Sequence, residues 1–155
     1  MYLISVILLM VVLPITSIAL DHFVFQQSIP VFLLVGKWFV FWVAGVRLFL
    51  AGLRQFFQPR FTLEKLFGLT SDDALPFVRE LGAANLATGT AGLLSLVKPN
   101  FVAPVAIVAA IFYGIAGIRH LTDKGKNLKQ TTVMITDILV SLVFIVYIAY
   151  AGLGR

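Results

Sequence analysis

The stretch Arg79-Glu80-Leu81-Gly82-Ala83-Ala84-Asn85-Leu86-Ala87-Thr88-Gly89-Thr90-Ala91-Gly92 decides the fold. Read as a helix, it places four residues on one face, at steps of three, four and three: Gly82, Asn85, Gly89 and Gly92. Bare backbone on that face lets a second helix approach closely, and Asn85 points into the contact. A second small-residue face beside it holds Glu80, Ala84, Ala87 and Ala91. We therefore expect this helix at the centre of a helical bundle.

The composition indicates a membrane protein. Of the 155 residues, 60% are hydrophobic and 12% are charged, and the mean hydropathy is +1.00. Soluble domains are about 45–50% apolar and about 25% charged, so lipid is the solvent that suits this chain. There are no cysteines, which excludes disulfides and thiolate metal sites. The net charge of +5 comes from basic residues between apolar spans, so we expect a lipid bilayer as partner and no nucleic acid.

The apolar segments predict an all-α membrane protein with five transmembrane helices, a four-helix core plus an N-terminal span. A crossing needs about 20 residues, so residues 1–155 form a single membrane domain. The predicted spans are Tyr2 to Leu20, Ile29 to Leu53, Phe77 to Val97, Phe101 to Ile118 and Thr131 to Tyr150. The short connection Lys98-Pro99-Asn100 predicts that spans three and four form an antiparallel hairpin.

The first span has two interpretations. Ser17-Ile18-Ala19 resembles the small-x-small cleavage site of a signal peptide. No basic residue precedes the apolar run, however, so we expect an uncleaved helix. Pro14 lies inside it and predicts a kink.

The polar stretch from Arg54 to Asp73 predicts an amphipathic segment at the membrane interface. Apolar residues alternate there with charged ones: Phe56, Phe57, Phe61, Leu63, Leu66, Phe67 and Leu69. In the second span, Lys37 and Trp38 predict an interfacial belt, and Trp42 predicts deeper packing.

The distribution of Lys and Arg predicts the orientation. One side of the membrane carries seven of them beside the spans: Arg54, Arg60, Lys65, Arg119, Lys124, Lys126 and Lys129. The other side carries three: Lys37, Lys98 and Arg155. Because basic loops stay in the cytoplasm, we expect a multi-pass protein of the bacterial inner membrane. With five spans its N-terminus is cytoplasmic and its C-terminus is outside.

Among the ionisable residues of the predicted spans, three are candidates for a functional role: Arg47, Glu80 and Asp137. A central Asp, Lys or Arg costs about 2.5–3.5 kcal/mol on insertion scales, so each residue needs a partner or a function. Arg47 either reaches the nearby interface or pairs inside the bundle, where Glu80 is its natural partner. The favoured interpretation is that ion pairs hold the helices together. The alternative is a proton-accessible pocket in which Glu80 and Asp137 exchange protons.

Asn85 and His120 complete the candidates for a ligand or ion-pair site. Asn85 lies near the middle of its helix and predicts an interhelical hydrogen bond. His120 follows Arg119 at a helix end, which predicts an interfacial histidine rather than a ligand. Gly82, Gly89 and Gly92 predict helix packing.

Sequence motifs for catalysis and cofactors are missing. The sequence has no phosphate-binding glycine loop, zinc-binding helix motif or nucleophile elbow. It also has no paired broken helices of an inverted-repeat transporter and no arginine ladder. We therefore expect no catalytic residues, no metal and no cofactor, which favours a protein that is not an enzyme.

Two segments carry a family resemblance. They are Val46-Arg47-Leu48-Phe49-Leu50-Ala51-Gly52-Leu53-Arg54-Gln55-Phe56, followed by Pro59, and the residues from Arg79 to Gly89. They resemble small bacterial membrane proteins of unknown function, which are similar to the DoxX-like superfamily of four-helix membrane proteins. The superfamily's name-giving member is linked to quinone-dependent sulfur oxidation, and other members serve as accessory or chaperone-like subunits. The resemblance therefore implies architecture more than activity.

Three functions follow from these observations. The first is a non-enzymatic accessory or self-assembling subunit, with a homo-oligomer or a larger membrane complex as its partner. The second is a small carrier or channel with a polar site at Glu80, Arg47 and Asn85. The third is a quinone- or lipid-binding redox accessory protein, with a polar-ended cleft near Trp42 or His120.

Overall fold

The computed structural model describes residues 2–26, 28–65, 68, 70–122 and 128–153, and the secondary structure in that part of the chain is helical. Six helices follow one another: α1 (residues 2–24), α2 (residues 31–57), α3 (Pro59–Lys65), α4 (Leu75–Leu94), α5 (Val102–Thr122) and α6 (Leu128–Leu153). Short 3₁₀ turns, Asp72–Ala74 and Pro99–Phe101, precede α4 and α5. Three residues of the predicted interfacial segment, and the whole connection between α5 and α6, lie outside the described part: Leu66, Phe67, Leu69 and 123–127.

Within the described residues, four helices are long and apolar enough to cross a membrane: Leu3–Val24, Val31–Phe57, Pro99–Thr122 and Gln130–Leu153. This is the architecture of a multi-pass membrane protein. The third predicted span, Phe77 to Val97, corresponds to α4, which has 20 residues but is not among the four. Its charged pair Arg79 and Glu80, together with Asn85 and many small residues, lowers its hydropathy.

The helix around which the others pack is α2, and the expectation that α4 is central is wrong. α2 contacts α1, α4, α5 and α6, whereas α4 packs mainly against α2. The buried residues of α4 lie on one face: Val78, Gly82, Asn85, Gly89 and Gly92. Small residues permit a close approach to one neighbour, but they offer too little apolar area to hold neighbours on every side.

The contact between α2 and α4 is a close approach of two backbones. A Cβ added at Gly92 would lie 2.5 Å from the amide nitrogen of Gly45. Further along the same contact, a Cβ added at Gly52 would lie 2.8 Å from the carbonyl oxygen of Gly82. Neither position has room for a larger residue unless the helices separate.

Helices α5 and α6 pack along much of their length, whereas α4 and α5, the predicted hairpin of spans three and four, are joined by a short connection and contact each other less. A Cβ at Gly117 would lie 2.7 Å from Cγ1 of Ile138, and Ser141 Oγ donates a hydrogen bond of 2.8 Å to the carbonyl oxygen of Ala110. These contacts run in opposite directions along the two helices, so α5 and α6 are antiparallel.

Helix α6 is also antiparallel to α2. Tyr147 packs against Gly36 near the start of α2, whereas Asp137 lies beside Arg47 nearer its end. Because α2 and α5 both run against α6, α2 and α5 run in the same direction. The start of α5 is therefore level with the start of α2.

Both α1 and α2 contain π-helical segments. In α1, a π segment at Leu8–Val12 comes directly before Pro14, whose missing N–H prevents one α-helical hydrogen bond. The predicted disturbance at Pro14 thus takes the form of a widened turn. In α2, the π segment Val40–Arg47 lies at the core of the bundle and ends on Arg47.

Candidate functional site

Arg47 is the centre of a buried polar cluster. It ends the π segment of α2, and its side chain is 17% exposed. Its Nη1 donates a hydrogen bond of 2.9 Å to the hydroxyl of Tyr113 on α5. Its Nη2 lies 3.8 Å from Oδ1 of Asp137 on α6. A single guanidinium therefore links three helices.

Tyr113 fixes the position of Arg47. The tyrosine is fully buried, and its hydroxyl donates a hydrogen bond of 3.0 Å to the carbonyl oxygen of Val43 while accepting one from Arg47. The guanidinium carbon also lies 5.2 Å from the centre of the Tyr113 ring. The carbonyl belongs to the π segment, so the widened turn of α2 and the position of its arginine are fixed by one side chain.

Asp137 is the unusual member of the cluster. It is 3% exposed, and its Oδ1 has no hydrogen-bond partner among the described residues. It interacts electrostatically with Arg47 and with His120, at the end of α5. A separation of 3.8 Å is too long for a hydrogen bond, so the carboxylate has a counter-charge but retains unused acceptor capacity.

Glycines bring Asp137 into the bundle. Gly117 of α5 faces Ile138, which directly follows Asp137 on α6, and Gly114 faces Ser141 one turn further along α6. Because these glycines let the two helices approach closely, Asp137 lies at the α2–α5–α6 junction and is not in contact with lipid. The local sequence thus supplies both the polar group and the space for it.

Glu80 does not join this cluster. It is exposed in the second turn of α4, and the carboxylate paired with Arg47 is that of Asp137. The suggested Glu80–Arg47 pairing is therefore wrong. Counting residues places both near the same end of the bundle, but Glu80 is exposed on the side of α4 that faces away from α2.

Asn85 lies at a separate contact between α4 and α2. It is 4% exposed, and its Nδ2 donates a hydrogen bond of 2.7 Å to Oε1 of Gln55. Gly82 and Gly89 lie on the same buried face. The amide is thus part of a helix contact and does not face the Arg47 cluster.

A second buried carboxylate, Asp21, is missing from the sequence-based candidates. It is 6% exposed, and its Oδ2 accepts hydrogen bonds of 2.7 Å from Lys37 Nζ and 2.8 Å from Trp38 Nε1. One turn away, Trp42 Nε1 donates a bond of 3.0 Å to Ser17 Oγ. These contacts fasten α1 to α2 near the end opposite to Phe57.

No group of three or more His, Asp or Glu side chains that could hold a metal ion occurs in the described part of the chain. Two surface depressions border the helices. One lies at the end of α2, and the other is an apolar groove of about 320 Å³ between α2 and α6. Neither is lined by Asp137, Trp42 or His120.

The fold and the buried cluster define the class: a multi-pass helical membrane protein whose polar side chains join helices in its interior. More particularly, the chain belongs to DUF6790, a family of unknown function, whose family model matches residues 1–152. No curated protein and no solved structure matches the chain. The resemblance to the DoxX-like superfamily remains a prediction.

Proposed function

We propose that the protein is a non-enzymatic, self-assembling subunit of the bacterial inner membrane, and that a second copy binds the outward face of α4. The observation that carries this proposal is the exposure of small residues on that face. Ala83, Ala84 and Ala87 are exposed, whereas the glycine face opposite them is buried against α2. In lipid, small residues on a helix surface favour close contact with another helix.

The charges beside this surface suit a symmetric contact. Arg79 and Glu80 are both exposed, and neither takes part in an ion pair between described residues. About a two-fold axis along the membrane normal, Arg79 of one copy meets Glu80 of the other, and the reverse pair forms as well. The two charges of each copy are then neutralised at the interface.

The proposed topology has five crossings, with α4 as the third. It is supported by the directions of the helices: α5 starts level with the start of α2, so the chain between 58 and 101 connects opposite ends of the bundle. Within that segment, α4 is the described helix with enough residues to make the connection. The excess of basic residues at the Arg54 end supports a cytoplasmic N-terminus and an external C-terminus.

Replacing Ala87 by Phe tests the assembly surface. The substitution adds bulk to the outward face of α4 and leaves the buried glycine face unchanged, so we expect dimers to dissociate while helix content stays the same. Ile115→Phe is the matched control, because Ile115 is 65% exposed on α5. Sedimentation equilibrium in detergent measures the association. Dimers that survive Ala87→Phe, or a wild-type chain that is monomeric in lipid nanodiscs, would contradict the proposal.

A second candidate function is a small proton carrier, and the unused acceptor capacity of Asp137 favours it. A buried carboxylate with spare capacity is the kind of group that takes up and releases a proton in a transporter. Its site is the Arg47–Asp137 cluster, with Glu80 and Asn85 outside it. In vesicles with an internal pH dye, Asp137→Asn abolishes proton flux and Glu80→Gln does not. Wild-type vesicles without flux exclude this function.

The quinone- or lipid-binding redox function keeps only the support of the family resemblance. The cleft it requires would be lined by Trp42 or His120, and neither residue borders the two depressions. Trp42 instead donates its N–H to Ser17.

A further inference from the structure

Arg54, near the membrane interface, is a cation with no charged partner among the described residues. It lies in the last turn of α2 and is exposed, and no ion pair joins it to another described residue. Its guanidinium carbon lies 5.1 Å from the centre of the Phe61 ring on α3. This cation–π contact restrains the side chain without neutralising its charge.

Arg60, on the neighbouring helix α3, provides the contrast. Its Nη2 lies 2.8 Å from Oδ2 of Asp72, and its Nη1 lies 3.9 Å from Oε1 of Glu64. Both arginines are exposed at the same end of the bundle. The charge of Arg60 is balanced within the chain, and that of Arg54 is available to a ligand.

Arg54 lines a surface depression of about 380 Å³ on one side of α2. Its other lining residues are Leu50, Leu53, Phe57 and Gln58. Leu50 lies one turn before Arg54 and Leu53 directly before it, so the surface changes from apolar to cationic along the helix in the direction from the bilayer centre to the interface. Leu50 is 52% exposed, so the apolar part on the bilayer side of Arg54 is open to lipid.

We propose that this depression binds an anionic phospholipid, with its phosphate at Arg54 and an acyl chain along Leu50 and Leu53. An arginine fork matches the oxygens of a phosphate, and the Gln58 amide next to it supplies further hydrogen-bond donors. The occupant is a lipid because the cation and the apolar wall are continuous and both face the bilayer. The site lies on α2, away from the outward face of α4, and does not depend on self-assembly.

Native mass spectrometry of the full chain in detergent tests the site. The probes are dioleoyl phosphatidylglycerol and dioleoyl phosphatidylcholine. We expect tighter binding of the anionic lipid by the wild type, and about a fivefold loss of that affinity in Arg54→Gln. Phosphatidylcholine binding stays unchanged. Because Arg54 is exposed, the variant keeps its helix content by circular dichroism.

Arg60→Gln is the matched control, since it removes the same charge from a residue that already has acidic partners. We expect it to keep wild-type affinity for phosphatidylglycerol. Two results would show that the assigned site is wrong: Arg54→Gln binds the anionic lipid as tightly as the wild type, or Arg60→Gln loses as much affinity as Arg54→Gln. Either would mean that the anionic lipid is attracted to the basic surface in general.

Two further measurements test the lipid as occupant. Glycerol 3-phosphate at millimolar concentration has the phosphate without the acyl chains, and we expect it to leave bound phosphatidylglycerol in place. Leu50→Gln keeps Arg54 but makes the wall polar, and we expect weaker retention of phosphatidylglycerol. Full displacement by glycerol 3-phosphate, or undiminished retention by Leu50→Gln, would instead indicate a site for soluble phosphates and overturn the proposal.

Discussion

Asp21 and Asp137 are two buried aspartates with opposite surroundings. Asp21 accepts hydrogen bonds of 2.7 and 2.8 Å from Lys37 and Trp38 on α2. Asp137 has its counter-charge at 3.8 Å, and its Oδ1 has no hydrogen-bond partner among the described residues. Their exposed fractions are nearly equal, at 6% and 3%. Burial alone therefore does not distinguish them.

The difference lies in whether the carboxylate uses its acceptor capacity. A buried polar group whose hydrogen bonds are satisfied holds its partners in place, as Asp21 holds α1 to α2. A buried group with unused capacity is costly, and such a group needs an explanation by function or by water. Asp137 thus has a stronger claim to function than Asp21, although both serve to connect helices.

The largest effect is expected from Asp137→Leu. The substitution removes the carboxylate that lies 3.8 Å from the largely buried guanidinium of Arg47, and arginine cannot lose its proton in a protein. Removing one partner of a buried ion pair costs about 3–5 kcal/mol. Unfolding by sodium dodecyl sulfate from mild detergent, followed by far-UV circular dichroism, measures the loss.

The double variant Arg47→Leu/Asp137→Leu is the control for this prediction. It removes both charges, so we expect it to recover much of the stability that the single variant loses. If the double variant instead loses as much stability as the two single variants together, the 3.8 Å contact does not couple Arg47 and Asp137.

Arg47→Leu is expected to destabilise less than Asp137→Leu. The carboxyl that remains can become neutral by binding a proton, whereas the guanidinium cannot. The hydrogen bond to Tyr113 is lost as well, so we expect the free energy of unfolding to fall by about 2 kcal/mol in the same assay. A loss equal to that of Asp137→Leu would mean that Asp137 stays charged without Arg47.

Much of the helical architecture could be predicted from hydropathy, because each long apolar segment must form a helix in lipid. The ends were less accurate: the predicted first span ends at Leu20, whereas α1 extends to Val24. Because the predicted span ends at Leu20, Asp21 falls outside it and is not among the sequence-based candidates. A helix end depends on the contacts made there, and Lys37 and Trp38 supply those contacts.

The depth of the polar residues could be predicted, but not which residues meet. Arg47 and Asp137 were both identified because charges are rare in spans. The pairing with Glu80 was wrong because counting residues gives depth, whereas a partner depends on how each helix is rotated. No sequence pattern marks Tyr113 as a member of the cluster. Its role depends on the carbonyl of Val43, which lies in a π segment that the sequence does not predict.

Asp21→Asn is expected to destabilise by about 1–2 kcal/mol, because it removes one charge of a short ion pair. The effect is limited, since the Lys37 side chain is 31% exposed and can be hydrated. The fluorescence of the two tryptophans, Trp38 and Trp42, reports this contact directly. Asp73→Asn removes an exposed carboxylate and serves as the control, with no change in fluorescence or stability. If Asp21→Asn changes neither the stability nor the tryptophan fluorescence, Trp38 and the neighbouring packing suffice to hold α1 against α2.

The smallest effect is expected from Asn85→Ala, which sets the scale of an uncharged hydrogen bond between helices. Asn85 donates to Gln55, and such bonds contribute about 0.6 kcal/mol on average in membrane proteins. A double-mutant cycle with Gln55→Ala isolates that bond from the packing that each substitution also changes. If its coupling energy equals that of Asp21 with Lys37, charge adds nothing to the α1–α2 contact. Asp21 would then stabilise its helix contact no more than the neutral amide of Asn85 does. Asp137, whose hydrogen bonds are incomplete, would remain the one of the three whose burial is not explained by such a contact.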